Sequence, residues 1–103
     1  MVSEEKLNYW LKAGEELYKD NELYKNKWIA TVKDFASNKP EAELCFDELI
    51  SILTDIKNGV PLETVAEKIK PNKEVLMGYY LPSFIESEEV YNRLSELVES
   101  RQI

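Results

Sequence analysis

Through the first third of this chain a stripe of mostly apolar residues recurs at helical spacing: Leu7, Trp10, Leu11, Gly14, Leu17, Tyr18, Tyr24, Trp28, Val32 and Phe35. Ser3 before Glu4 and Glu5 supplies a helix start, a capping hydroxyl followed by acids in the first turn. A stripe of this length is long for one globular helix. Asp20 and Asn21 fall where an apolar residue is due. The spacing therefore predicts a long first helical region, either interrupted by polar residues or broken into two helices near Asn21. No segment alternates as a strand would. The expectation is an all-α fold, a compact bundle of four to six helices forming a single domain over residues 1–103.

The rest of the chain reads as shorter helices. Pro40 suits the first position of a core helix that carries Leu44, Cys45, Phe46, Leu49, Ile50, Ile52, Leu53 and Ile56. Asn58-Gly59 is a left-handed stop. Pro61 opens a helix that turns Leu62, Val65, Ala66 and Ile69 inward and closes before Pro71. Asn72 is expected to cap one or two turns that end before Pro82. A last helix starts at Ser87, buries Val90, Tyr91, Leu94, Leu97 and Val98, and pairs Glu89 with Arg93.

Composition then removes whole classes of chemistry. The chain has no histidine, so the commonest general base and metal ligand are absent. Its one cysteine, Cys45, can close no internal disulfide and reads as a small buried hydrophobe. Carboxylate pairs such as Glu63 and Glu67 lie on polar faces, whereas catalysis needs one in a water-poor pocket. No enzyme, cofactor or metal role is expected. The N-terminus lacks a signal-peptide pattern and no run approaches the ~18 apolar residues of a membrane span, so residence in the cytoplasm is the default expectation.

The charge is lopsided. Residues 1–40 carry seven Lys against seven acids, while residues 41–103 carry six basic and thirteen acidic residues, the whole net charge of −7. Phosphate must be met by net positive surface, so direct nucleic-acid binding is disfavoured and a basic protein partner favoured. Acids gather on the third helix, including Asp47 and Glu48, and again at Glu86, Glu88 and Glu89.

The second acidic group follows the stretch VLMGYYLPSF, residues 75–84. Gly78 within a helical turn costs about 1 kcal/mol against alanine, so close packing or a helix end should offset it. Successive helical residues point about 100° apart, so Tyr79 and Tyr80 cannot share one core slot. Either one ring reaches the surface or both pack with their hydroxyls in water. An exposed tyrosine beside Met and Leu, fringed by carboxylates, has the composition of a binding hot spot.

The Tyr-Tyr pair followed by Pro82 in a small acidic helical chain resembles the immunity proteins of DNase-type colicins. Here Leu81 stands between the pair and the proline, and the His-Pro and Gly-Ser-Asp segments of that family are absent. The resemblance implies a non-enzymatic inhibitor that plugs a basic nuclease with a tyrosine turn and an acidic helix.

The function expected is accordingly a non-enzymatic, acidic inhibitor, immunity or regulatory factor that docks a basic protein. Tyr79 and Tyr80 would anchor it, with Glu86, Glu88, Glu89, Asp47 and Glu48 steering. Two other readings stand beside it. Residues 61–80 place Val65, Ala66, Ile69, Leu76 and Tyr79 near the apolar positions of a helix-turn-helix, although residues 57–79 sum to only +1. The many rings of residues 7–35 could instead cover one another in a homodimeric assembly component.

Overall fold

The protein is described by a computed structural model over residues 3–38 and 42–99, with side chains described for residues 3–34 and 46–99. The expected start of the third helix at Pro40, and the side chains of Phe35, Glu41, Glu43, Leu44 and Cys45, lie outside these residues. The architecture is all-α. Among the described residues there are five helices of two turns or more: α1 (Glu4–Leu17), α2 (Glu22–Asn38), α3 (Ala42–Lys57), α4 (Leu62–Ile69) and α5 (Glu88–Glu99). Helical turns fill residues 70–84. The chain divides into two compact units, residues 1–50 and 51–103, so the division falls within α3.

Local chemistry explains the boundaries. Ser3 caps α1, its hydroxyl oxygen accepting from the Lys6 amide at 3.2 Å. The first helical region is broken, and Asn21 is the reason. Its side-chain oxygen accepts from the Tyr24 amide at 3.2 Å and its carbonyl from the Lys25 amide at 2.9 Å, which starts α2 afresh. Gly59 stops α3 in the left-handed region at φ 79°. The Val60 amide reaches back to the Asp55 carbonyl and the Gly59 amide to the Ile56 carbonyl, so both orphan carbonyls are satisfied. Ser87 caps α5 through the Val90 amide at 3.3 Å.

The first unit is built on a glycine notch. Gly14 is buried, and a Cβ there would sit 2.1 Å from Cδ1 of Trp28. Only glycine lets α1 and α2 approach this closely. The Trp28 indole N–H then donates to the Trp10 carbonyl at 2.8 Å, so the buried nitrogen has its partner. Both indoles pack on Phe46, at 5.0 and 5.5 Å between ring centroids. Trp10, Trp28 and Phe46 are fully buried.

In the second unit α4 packs on α5. Val65, Ala66, Ile69, Leu94 and Val98 are buried there, while Val90, Tyr91 and Leu97 are half-buried. Arg93 pairs with Glu96 at 3.1 Å and reaches Glu63 of α4 at 3.9 Å, in place of the expected Glu89. The Glu96 pair lies one turn toward the helix end, and the Glu63 contact crosses to the packed neighbour.

Candidate protein-binding surface

Residues 70–84 depart most from the expected helix, and Pro82 is the cause. The stretch opens with a 3-10 turn, Lys70–Asn72, which runs through Pro71 where a stop was expected. Asn72 makes no side-chain cap. A short α turn, Lys73–Val75, leads into a π-helical turn, Leu76–Tyr80, whose end is marked by the Leu81 amide reaching back five residues to the Leu76 carbonyl. Pro82 does not end the helix. It sits in the first positions of a last α turn, Leu81–Phe84.

The hydrogen-bond ledger of this turn is short of one donor. The Met77 carbonyl would accept from Leu81 in an α-helix or from Pro82 in a π-helix. Leu81 is committed to Leu76, and proline has no N–H. The Tyr91 hydroxyl fills the gap, donating to the Met77 carbonyl at 2.8 Å. Gly78 is exposed and a Cβ there would meet open space, so close packing does not account for it. Nor does the helix end there. Gly78 lies four residues before Pro82, where a proline ring crowds the carbonyl of a regular helix.

This winding separates the two tyrosines. Tyr80 is buried at 5% exposure, with Leu76, Met77, Leu81 and Phe84 buried in the same unit. Tyr79 is 58% exposed, its ring edge-on to Tyr80 at 5.1 Å between centroids. Of the two expected anchors, Tyr79 is therefore the one at the surface, and Tyr80 is a core residue that supports it. Val75, one turn earlier, is 44% exposed. Sequence reasoning passed over Val75 because it counted the residue among the apolar body of the stretch. A surface depression of about 350 Å³ adjoins, lined by Lys70, Pro71, Asn72, Lys73, Glu74 and Val75.

The expected steering acids fall into two groups. Glu86, Glu88 and Glu89 are exposed and lie in the second unit, Glu86 just before α5 and the other two in its first turn. Asp47 and Glu48 lie in the first unit and are half-buried. Asp47 has a structural task of its own. Its carboxylate accepts from the Lys6 ammonium at 2.8 Å and from the Trp10 indole N–H at 3.0 Å. Burial pushes its pKa up. The hydrogen bonds from Lys6 and Trp10, with the Lys6 charge, outweigh that and hold the carboxyl below its ordinary value. Neither partner was foreseen, because they lie 41 and 37 residues away in the chain.

The cations of residues 61–80 are paired with acids. Lys68 bonds Ser51 and Asp55, Lys70 meets Glu67 at 2.9 Å and Lys73 meets Glu99 at 3.7 Å. Among the described residues no group of three or more thiol or carboxylate side chains could hold a metal ion, and no helix is long and apolar enough to cross a membrane. Compared with protein-family models, curated proteins and solved structures, the chain matches none.

Proposed function

We propose that this protein is a non-enzymatic binding module, an inhibitor, immunity or regulatory factor whose second unit docks a basic protein. The observation that carries the reading is the exposed Tyr79 ring, set beside exposed Val75 on a turn otherwise rich in buried side chains. An aromatic side chain left at the surface next to apolar area is what binding hot spots are made of. Exposed Glu86, Glu88 and Glu89 follow on the same stretch of chain, in the half that carries all the surplus negative charge. Those carboxylates speed encounter with a cationic surface, and the ring and Val75 supply the contact that holds it.

The alternative readings rest on less. Nucleic acid would have to be met by Lys68, Lys70 and Lys73, which are paired with Asp55, Glu67 and Glu99. For homodimerisation through residues 7–35, the exposed large apolar side chains among the described residues are Tyr9 and Leu23, since Trp10, Tyr18 and Trp28 are spent in the core.

Calorimetric titration of candidate basic proteins at low and high salt tests the proposal. Affinity should fall with salt, and Tyr79→Ala should weaken it by about tenfold or more. Binding that ignores both changes rules the mechanism out. Gel-shift with random duplex and light scattering test the two alternatives.

A further inference from the structure

The Tyr91 hydroxyl lies outside the exposed patch, yet it is bonded to the backbone two residues from Tyr79. We propose that Tyr91 is a positioning residue for the docking surface. Its phenol supplies the donor that Pro82 lacks, locks residues 76–80 in the π-helical register, and so fixes Tyr79 relative to the turn carrying Glu88 and Glu89. The bearing on docking rests on the function proposed above. The lock itself does not.

The argument turns on one amide with two acceptors within reach. In the observed register the Leu81 N–H goes to the Leu76 carbonyl, and the Met77 carbonyl is left for Tyr91. In the α register the Leu81 N–H goes to the Met77 carbonyl, and the Gly78 carbonyl loses its donor to Pro82. Gly78 is exposed, so water can satisfy that carbonyl. Met77 is 8% exposed, so in the π register its carbonyl depends on protein for a partner. The single phenol therefore decides which register leaves no buried acceptor unpaired. Changing the register alters the winding between Val75 and Leu81, and with it the angle at which Val75 and Tyr79 stand relative to buried Leu81 and Phe84. Tyr91 lies in the first turn of α5, the same turn that carries Glu88 and Glu89. The same bond thus ties the acid-bearing turn to the ring-bearing one.

The test is a nuclear magnetic resonance measurement of the scalar coupling transmitted across backbone hydrogen bonds, made on the isolated protein with no partner. In the native chain the Leu81 nitrogen should couple to the Leu76 carbonyl carbon. In Tyr91→Phe, which removes one oxygen, the coupling should move to the Met77 carbonyl carbon. Pro82→Ala combined with Tyr91→Phe gives every carbonyl of the turn an N–H in the α register. It should show the same move, and it keeps the question open to measurement if the single variant does not fold. A Leu76 coupling retained in either folded variant overturns the proposal. Because no partner is present, that failure is separate from a failure of the docking reading, which only the titrations address.

Discussion

The indole N–H of Trp28 donates to the backbone carbonyl of Trp10 across the notch that Gly14 leaves between two helices. The bond and the notch depend on each other. A methyl group at residue 14 would lie 2.6 Å from the same indole nitrogen, so it must push away the ring that makes the bond. Gly14→Ala is expected to lower stability by about 2–3 kcal/mol, at the upper end of overpacking costs, despite the better helix propensity of alanine. Urea unfolding followed by tryptophan fluorescence measures this directly. An unchanged midpoint would show that the helices can separate at no cost.

The other two glycines should respond in opposite directions. Gly78 has open space where a Cβ would go and lies outside the left-handed region. Gly78→Ala should therefore stabilise the protein by about 0.4–1 kcal/mol through the unfolded chain. Gly59 also has open space, but at φ 79° a side chain is strained by the backbone alone. Gly59→Ala should cost about 1 kcal/mol or more. Thermal unfolding of the pair, measured side by side, separates backbone conformation from packing.

Tyr91→Phe should cost about 1–2 kcal/mol in the native background, because the Met77 carbonyl loses the phenol and is paired again only in a register that leaves the Gly78 carbonyl to water. In Pro82→Ala the same substitution should cost distinctly less, since the restored N–H lets the turn pair its own carbonyls. The double-mutant cycle therefore predicts coupling between residues 82 and 91, read from urea midpoints. Additive costs would mean that the phenol does not compensate for the proline.

The adjacent tyrosines should separate stability from binding. Tyr80→Ala removes a ring that is 5% exposed and should cost about 3 kcal/mol or more. Tyr79→Ala removes a ring that is 58% exposed, gives up its edge contact with Tyr80, and should cost under about 1 kcal/mol. Only the second variant is a clean probe of docking.

Asp47 gives the stability a pH dependence with a definite sign. Its folded pKa lies below its ordinary value of 3.8. The folded state therefore binds the proton more weakly than the unfolded chain does. The stabilisation is fully present above the unfolded pKa and is lost as pH falls through the folded one. Asp47→Asn should be less stable than the native chain at neutral pH, and the gap should close in acid below the ordinary carboxylate range. A gap that stays constant on acidification would show that the Asp47 charge contributes nothing.

Most features decided within one turn of chain were legible in the sequence, although the expected stop before Pro71 and cap at Asn72 did not form. Ser3, Asn21, Gly59 and Ser87 each start or stop a helix as their chemistry dictates, because a cap needs only its own neighbours. The helical stripes correctly named Trp10, Trp28, Leu49, Ile52 and Leu94 as core. What the sequence hid depends on distant partners. The winding of residues 76–80 is settled by a hydroxyl 14 residues on from Met77, and the role of Asp47 by side chains from α1. At the candidate surface, the doublet announced that its two rings would be treated differently. Which one faces outward was set by a π turn in which Pro82 withholds a donor and the distant Tyr91 supplies one.

The short reach of the Trp28 bond has a kinetic consequence. Its two ends are 18 residues apart, whereas Asp47 must be gathered from roughly twice that distance. Closing short loops takes on the order of 10–100 ns, and local contacts speed folding. The first two helices can thus meet as a hairpin before the third arrives. Trp10, which contributes its backbone carbonyl to one event and its indole N–H to the other, would then record both in the order they occur.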